Sequence, residues 1–165
     1  MKGIFLLLGS NLGDRMQNLQ RAKDILAAHE INISDFSAVY ESAPWGDENQ
    51  GWFLNMVLKI DTIHDPESLL QSCLDTEIQM GRTRLKKWGE RIIDVDILYY
   101  HDFIVESPHL RIPHPGIAMR RFTLMPMVEL APHEIHPVLK LPQKQLLEIC
   151  PDMLECHKTD LHLHI

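Results

Sequence analysis

The apolar run Gly3-Ile4-Phe5-Leu6-Leu7-Leu8-Gly9 is followed at once by Ser10 and Asn11, and this pattern predicts a buried central strand that ends in a turn. Residues 14–28 then predict an amphipathic helix, because their apolar side chains recur at helical spacing. That apolar stripe consists of Met16, Leu19, Ala22, Ile25 and Leu26. The first predicted unit is therefore strand, turn and helix.

Two further strands and a well-marked helix follow. Imperfect alternation of apolar and polar residues predicts strands at residues 31–40 and 53–60. The segment Asp65-Pro66-Glu67 combines an N-cap acid, a proline in the first helical position and an acid in the first turn, which together predict a helix start. Gly81 is well placed to end that helix.

The second half of the chain predicts one more strand and two more helices. Residues 92–100 have the period of a strand, with Asp94 and Asp96 on one face and, on the other, Ile93, Val95, Ile97 and Tyr99. Helices are predicted at residues 121–130 and 143–149. Pro126 is tolerated in the first of these only if the helix begins close to it.

The element order β-α-β-β-α-β is that of a split β-α-β unit. It predicts an α+β fold, with a ferredoxin-like, antiparallel sheet that has helices on both faces. The chain has 165 residues, 45% of them hydrophobic, and so has the size and apolar content of one domain. We therefore expect residues 1–165 to form a single domain.

Charge and cysteine content argue against several classes of protein. Sixteen Lys and Arg against 23 Asp and Glu give 16 − 23 = −7, which disfavours general binding of nucleic acid, because such binding neutralises many phosphates. The N-terminal apolar run is too short for a secretory signal, and no apolar segment approaches the roughly 20 residues of a membrane span. Three cysteines without metal-type spacing favour reduced thiols. We therefore expect a cytoplasmic protein without a membrane or nucleic-acid partner.

A charged run follows the predicted helix end and contains five cations, Arg82, Arg84, Lys86, Lys87 and Arg91. Guanidinium groups bind phosphate oxygens in a bidentate way and stabilise the charge that moves onto them during phosphoryl transfer. Trp88 within the run is suited to sealing a closed site or, equally, to packing on the surface. The alternative for the cations is an exposed loop that aids solubility. Phosphoryl or pyrophosphoryl transfer is favoured because two acids follow directly.

Those acids, Asp94 and Asp96, lie two residues apart on a predicted strand, so their carboxylates project from the same face. Their α-carbons are expected to lie about 6.5–7 Å apart. Carboxylate oxygens hold Mg²⁺, which takes its other ligands from waters and nucleotide phosphates. A solvated strand face is the alternative for so short a motif. The neighbouring arginines favour a magnesium site.

A flat heterocycle needs stacking surfaces and a hydrogen-bonding edge. Both could be provided by Phe53, Asn55 and Phe122 with the loop backbone at residues 42–45, although simple packing of the rings is the alternative.

His114 lies between two prolines and is a candidate donor of a hydrogen bond to phosphate, while a lone histidine is more often structural. The C-terminal tail contains three histidines, His157, His162 and His164. They could bind a metal adventitiously, but the favoured interpretation is a frayed terminus.

Together these motifs resemble the 6-hydroxymethyl-7,8-dihydropterin pyrophosphokinase family of the folate pathway. The matching blocks extend to about Pro132 and are Gly9-Ser10-Asn11-Leu12-Gly13-Asp14, Ser42-Ala43-Pro44-Trp45-Gly46, Phe53-Leu54-Asn55, Glu77-x3-Gly81-Arg82-x-Arg84, Trp88-Gly89-x-Arg91-x2-Asp94-x-Asp96-Ile97 and Pro113-His114-Pro115. The resemblance implies a ferredoxin-like fold and a monomeric cytosolic enzyme. It also implies transfer of pyrophosphate from ATP to the hydroxymethyl group of the pterin, with release of AMP.

The resemblance also implies catalytic roles, residue by residue. Asp94 and Asp96 are implied to hold two magnesium ions. Arg82 and Arg91 are implied to stabilise the transferring group. Asp94 is in addition a candidate to orient or deprotonate the attacking hydroxyl.

The implied substrate contacts form two groups. The pterin is implied to stack between Phe53 and Phe122 and to hydrogen-bond to Asn55, Ser42 and the backbone near Pro44 and Trp45. The residues implied to contact ATP are Glu77, Arg84, Trp88, the backbone of Ile97, His114 and Arg120. Family members commonly have Thr where this chain has Ser42 and Tyr where it has Phe53. Serine keeps the hydroxyl, and phenylalanine keeps the stacking face.

Two other kinds of function are weighed against the enzyme. One is a nucleotide- or pterin-binding regulatory module that has lost the chemistry, which the presence of all four implied catalytic residues disfavours. The other is a ferredoxin-like interaction domain whose basic loop contacts RNA. The net negative charge disfavours it.

Overall fold

A computed structural model of the chain describes residues 1–44, 49–81 and 91–163. The strands in these ranges are β1 (Ile4–Ser10), β2 (Ile31–Phe36), β3 (Tyr40–Ser42), β4 (Phe53–Thr62), β5 (Asp94–Tyr100), β6 (Val105–Glu106), β7 (Arg111–Ile112) and β8 (Cys156–Lys158). The α-helices are α1 (Arg15–Ala27), α2 (Pro66–Gln79), α3 (Arg121–Leu130) and α4 (Gln143–Glu148). A turn of 3₁₀ helix covers Ile117–Met119.

The main sheet is antiparallel and has the strand order β5-β1-β4-β3-β8, with β2 also paired to β4. Strands β6 and β7 form a separate two-stranded sheet. The central position of β1 between β4 and β5 confirms the interpretation of its apolar run. The order, in which the strand before α1 lies between the two strands that flank α2, confirms the ferredoxin-like split β-α-β fold.

Helices cover both faces of the sheet, as predicted. On the first face α1 and α2 pack against β1 and β4 in a core that includes Leu6, Leu8, Leu19, Leu26, Leu58 and Leu69. On the second face α3 and α4 pack against the same strands in a smaller core that includes Phe5, Leu7, Val57, Leu124, Met127 and Leu146. Alternate residues of each strand therefore serve different cores.

The helix boundaries follow the predicted capping signals. The Asp14 carboxylate accepts a hydrogen bond from the backbone N–H of Gln17 at 3.1 Å, and that of Asp65 accepts from Ser68 at 2.8 Å. Gly81 has φ +82°, the left-handed conformation that commonly follows a helix end. In the described part of the chain, no helix combines the length and the apolar character that spanning a bilayer requires.

The single strand predicted at residues 31–40 is wrong, because the strand breaks at residues 37–39. Ser37 replaces regular pairing with its side chain: its hydroxyl accepts from the Val57 N–H at 2.9 Å, while its own N–H donates to the Val57 carbonyl. The N–H of Ala38 donates to the Glu129 carboxylate at 2.9 Å. Side chains thus take over bonds that a sheet ladder would otherwise make.

The predicted face of Tyr99 is also wrong. Leu6 pairs with Ile97 but Phe5 pairs with Tyr99, so Leu98 is an extra residue in β5. Such a β-bulge shifts the alternation of side chains by one position. Tyr99 therefore packs in the second core beside Phe5, while Ile97 packs in the first.

Two expectations for the second half also need correction. Helix α3 has the predicted bounds but begins five residues before Pro126, so the proline lies inside the helix and has no N–H to donate to the Phe122 carbonyl. The tail is not frayed at residues 156–158, because β8 pairs with β3 at the edge of the sheet. A strand of three residues is too short to leave a periodic signal in the sequence.

Candidate active site

One row of residues crosses the sheet near the C-terminal end of β1. Gly9 lies directly opposite Asn55 on β4 and directly opposite Asp94 on β5. Paired residues share a face of the sheet, so the acid and the amide project from the same face on either side of a glycine. Their α-carbons are about 10 Å apart, the width of two strand spacings. The row therefore holds one amide and one carboxylate on the same face, two strands apart.

The open space in this row depends on Gly9. A β-carbon added there would lie 3.2 Å from the Asn55 Oδ1 atom and 3.6 Å from Cδ1 of Phe53. The first contact is tighter than an ordinary van der Waals contact, so any side chain at position 9 would crowd Asn55, whereas the distance to Phe53 is that of an ordinary contact. Gly9 thus leaves room beside the Asn55 side chain, and it is not one of the glycines with a positive φ.

Asp96 extends the acidic side of the row. It lies opposite Leu7, two residues from Asp94, and therefore projects from the same face of β5. Both acids are partly buried. They lie N-terminal to the bulge at Leu98, so the reversal of side-chain direction does not affect them. The two carboxylates share one face, as predicted from their spacing.

Arg91 contacts the acidic side of the row through its guanidinium group. Its Nε atom lies 3.5 Å from Oδ1 of Asp94, and its side chain is 10% exposed. A guanidinium beside a carboxylate in a partly desolvated setting stabilises the ionised acid. Of the two arginines implied to stabilise the transferring group, Arg91 is the one within the described residues, and it lies beside the predicted metal ligand.

Asn11, which the sequence predicts only as a turn residue, holds Arg91 in place. Its Oδ1 accepts from the Arg91 N–H at 2.6 Å, and its own N–H donates to the Arg91 carbonyl at 3.0 Å. Its Nδ2 donates to Oε1 of Gln50 at 2.8 Å and to the Gly51 carbonyl at 3.1 Å. The buried Asn11 side chain therefore joins the segment before β5 to the segment before β4. The sequence feature that could have indicated this role is the position of Asn11 directly after the central strand.

The amide side of the row is built from a buried pair. Nδ2 of Asn55 donates to the Ser42 hydroxyl at 2.8 Å, and the two residues are 3% and 2% exposed. Phe53 lies opposite Ser42 and on the same face as Asn55. Phe122, near the N-terminus of α3, packs against the second core and so lies on that side of the sheet. The structure thus brings four predicted pterin-binding residues to one side of β3 and β4.

Glu77 lies on the first-face side of β5. The buried carboxylate on α2 accepts a hydrogen bond from the Val95 N–H at 2.9 Å. Ile97 is two residues further along, so its backbone groups point toward the same outer edge of the strand. Burial, with Glu77 and Asp96 nearby, raises the pKa of the Cys73 thiol. Glu77 therefore anchors α2 to the strand segment between the two acids, in addition to its predicted contact with ATP.

His114 adjoins the C-terminal half of β5, where its N–H donates to the Leu98 carbonyl at 3.0 Å. Burial, with Arg120 and Arg111 nearby, lowers the pKa of His114 to about 4, so its ring is neutral at pH 7. Its Nδ1 atom accepts from the Gly116 N–H at 3.0 Å, which leaves the proton on Nε2. His114 is therefore a neutral donor in a position to contact a ligand beside β5.

Arg120 lies between His114 and the aromatic side of the site. Its Cζ atom is 5.8 Å from the ring centroid of Phe122. It also packs on Gly116, where an added β-carbon would lie only 2.8 Å from the same Cζ. The predicted ATP residue and the predicted pterin residue are therefore in contact with each other.

Several predicted site residues cannot be placed. Trp45, Arg82, Arg84 and Trp88 lie outside the described residues, as do Lys86 and Lys87. Pro44, which follows β3, is buried at the end of the first described range. The described part of the site is thus the row across β5, β1 and β4 with the residues beside it.

Comparison with known proteins identifies the family. The model of the 7,8-dihydro-6-hydroxymethylpterin-pyrophosphokinase (HPPK) family matches residues 5–132. The chain belongs to this family. A protein of Aquifex aeolicus named 2-amino-4-hydroxy-6-hydroxymethyldihydropteridine pyrophosphokinase is 42% identical over 145 residues, which cover 88% of this chain and 90% of the relative. A protein of Bacillus subtilis with the same name is 39% identical over 127 residues, covering 76% of each chain.

Solved structures of the Plasmodium falciparum HPPK-DHPS protein share the fold. One, of the A437G variant with STZ-DHP, covers 89% of this chain with a TM-score of 0.69 at 18% identity. Another, of the wild type with pteroate, covers 88% with a TM-score of 0.71 at 16% identity. The chain spans 45% and 43% of the lengths of those two chains. The likeness is one of architecture and places the row of Asp94, Gly9 and Asn55 on an HPPK fold.

Proposed function

We propose that this HPPK-family chain catalyses transfer of a pyrophosphoryl group from ATP to 6-hydroxymethyl-7,8-dihydropterin, a step of folate biosynthesis. The hydroxymethyl oxygen forms a bond to the β-phosphorus of ATP and loses its proton. The bond from that phosphorus to the oxygen bridging it to the α-phosphate breaks. The products are the pterin diphosphate and AMP. The observation that carries the proposal is the row in which Asp94 and Asn55 face one space across Gly9.

The two acids fit a magnesium-nucleotide site. In the part of the chain that the structure describes, no group of three or more His, Cys, Asp and Glu side chains is arranged to hold a metal. A pair of carboxylates suits Mg²⁺ bound to a nucleotide, because water and phosphate oxygens supply the other ligands. We assign Asp94 and Asp96 to two such ions. Such ions would offset the negative charge of the phosphate oxygens during transfer.

The chain's own residues position the substrates around that site. Arg91 pairs with Asp94 and supplies positive charge toward the transferring group. Asp94, which faces the space over Gly9, is assigned to orient or deprotonate the attacking hydroxyl. Arg82, outside the described residues, is assigned the same stabilising role as Arg91. Phosphoryl transfer depends mainly on such positioning and electrostatic stabilisation.

The pterin and ATP occupy opposite sides of the row in this proposal. The pterin stacks between Phe53 and Phe122 and bonds to Asn55, Ser42 and the backbone near Pro44 and Trp45. The residues assigned to ATP are Glu77, Arg84, Trp88, the Ile97 backbone, His114 and Arg120. The neutral His114 donates from Nε2 without adding charge. We further propose a monomeric, cytoplasmic, single-domain protein over residues 1–165, with no membrane or nucleic-acid partner.

The direct test is the product of the reaction. Purified protein with ATP, Mg²⁺ and the hydroxymethyl pterin is expected to release AMP, and omission of the pterin is expected to abolish that release. A coupled assay for AMP, with a parallel assay for ADP, measures both. Formation of ADP, or tight binding of both ligands with no product at any Mg²⁺ concentration, would overturn the proposal. The latter result is expected of a binding module without chemistry.

A further inference from the structure

The segment after α4 crosses from α3 to the edge of the sheet, and it lies beyond the residues that the family model matches. We call residues 152–158 the C-terminal strap. Asp152 begins it and is 8% exposed. Its Oδ2 accepts from the backbone N–H of Arg121 at 3.0 Å, and its Oδ1 accepts from that of Leu154 at 3.0 Å. Arg121 is the first residue of α3, so this carboxylate fixes the backbone immediately before Phe122.

The other end of the strap holds β3. The Glu155 carbonyl accepts from the Ala43 N–H at 2.9 Å, and Cys156 pairs with Ser42 in the strand that follows. Ser42 in turn accepts from Asn55 at 2.8 Å. A continuous set of bonds therefore runs from the strap to the amide proposed to recognise the pterin.

A second connection ties the far end of α3 to the same strands. Lys158 Nζ lies 3.8 Å from Oε1 of Glu129, in the last turn of α3. That carboxylate oxygen accepts from the Tyr40 hydroxyl at 2.6 Å, and Oε2 accepts from the Ala38 N–H at 2.9 Å. Helix α3 is therefore tied at two points: its start is bonded to the strap through Asp152, and Glu129 near its end is bonded to Tyr40 on β3. The space between Phe122 and the sheet is set by these two points.

We infer that Asp152 is a positioning residue for the pterin side of the site. Through the Arg121 N–H it sets the start of α3 and hence the place of Phe122, and through the strap it sets β3 and Ser42. This inference rests on the proposed function. It predicts a larger effect on the pterin than on ATP, because β5 with Asp94 and Asp96 lies at the opposite edge of the sheet from β8. Arg120, assigned to ATP, directly precedes α3, so a smaller effect on ATP is expected as well.

The test separates positioning from general stability. Asp152→Ala is expected to raise the KM for the pterin about tenfold, the size of effect that loss of one helix cap produces, and to change the KM for ATP by less than about twofold. Asp152→Asn keeps one acceptor oxygen and is expected to give an intermediate rise of about threefold. Calorimetric titration with the pterin should show the same ratios in its Kd.

The matched control is Asp65→Ala. Asp65 caps α2 through the Ser68 N–H, so its loss removes a bond of the same kind on the other face of the sheet. It is expected to lower the melting temperature without changing the KM for the pterin. The inference is overturned if Asp152→Asn leaves the KM and Kd for the pterin unchanged, or if it raises the KM values for the pterin and for ATP equally. It is also overturned if Asp65→Ala raises the KM for the pterin to the same extent. A wild-type protein that releases no AMP but binds the pterin would instead defeat the proposed function, and the Kd values would still decide the role of Asp152.

Discussion

The two faces of the central sheet are built from the same strands and serve different purposes. On the first face β1 contributes Ile4, Leu6 and Leu8 to a core that runs the length of the strand under α1 and α2. On the second face Phe5 and Leu7 enter the core under α3, but the next position is Gly9, with Asn55 and Asp94 on either side. Side-chain alternation lets one strand carry stability on one face and a candidate active site on the other.

The strongest test of this difference is Asp96→Ala on the second face. Loss of a proposed metal ligand should remove several kcal/mol of transition-state stabilisation and so lower kcat by roughly a thousandfold. The fold should be unaffected, because Asp96 is only partly buried. AMP release and a thermal melt by circular dichroism measure the two quantities. Asp61→Ala, on the exposed end of β4, is the control. Near-normal turnover in Asp96→Ala would contradict the assignment.

The reverse outcome is expected for Leu8→Ala on the first face. Leu8 is fully buried, so truncation should lower the free energy of unfolding by about 2–5 kcal/mol through lost burial and a residual cavity. Urea denaturation measures that change. Activity per folded molecule should stay close to that of the wild type. A large fall in kcat of the folded fraction would show that the two faces are not independent.

A further prediction concerns the stability of the protein at low pH, which we expect to depend on His114. Because its pKa is about 4 in the folded protein against 6.5 for an exposed histidine, the unfolded chain binds the proton more readily between these values. The stabilisation is complete above pH 6.5 and is lost as the pH falls through 4. The free energy of unfolding should therefore drop by a few kcal/mol over this window.

The matched variant for the acid experiment is His114→Asn, which retains an acceptor for the Gly116 N–H. The difference between wild type and variant should depend on pH between 6.5 and 4 and be flat above 7. The control is His109→Asn at an exposed position, which should give the same dependence of the free energy of unfolding on pH as the wild type. Parallel profiles for wild type and His114→Asn would show that burial of this ring is not linked to stability.

The smallest expected effect comes from Gly9→Ala, which differs from Leu8→Ala by one position and by face. The new methyl group would lie 3.2 Å from Oδ1 of Asn55. We expect the KM for the pterin to rise about fivefold, equivalent to roughly 1 kcal/mol, with little change in stability. Steady-state kinetics with each substrate varied in turn measures it. An unchanged pterin KM would place the ligand away from this row.

The sequence predicted the elements whose signals are local. The apolar run of β1 and the cap at Asp65 identify a central strand and a helix without knowledge of the rest of the fold. The break after β2 was not predictable in the same way, since it depends on bonds from Ser37 and Ala38 to Val57 and Glu129. These partners are distant in sequence, and tertiary contacts decide the conformation there.

In the candidate site, too, some residues have local sequence signals and others depend on tertiary contacts. The spacing of Asp94 and Asp96, and of Phe53 and Asn55, was sufficient to place each pair on one face. Asn11 and Asp152 were missed because they act on backbone N–H groups far along the chain, which have no residue type to recognise. Motifs expose side chains that meet a ligand, whereas residues that hold those side chains in place become visible only in the folded structure.

The extra residue in β5 changes which positions of this strand face each side of the sheet. Before Leu98 the even-numbered positions 94 and 96 face the candidate active site. After it the odd-numbered Tyr99 takes that side and Tyr100 joins the opposite core. Deletion of Leu98 would restore regular alternation with the two tyrosines and the two acids on their present faces, so what the extra residue adds is the Leu98 side chain, buried beside Tyr99 in the second core. A single inserted residue therefore allows an edge strand to direct two consecutive side chains into one core at one end while it presents paired charges at the other.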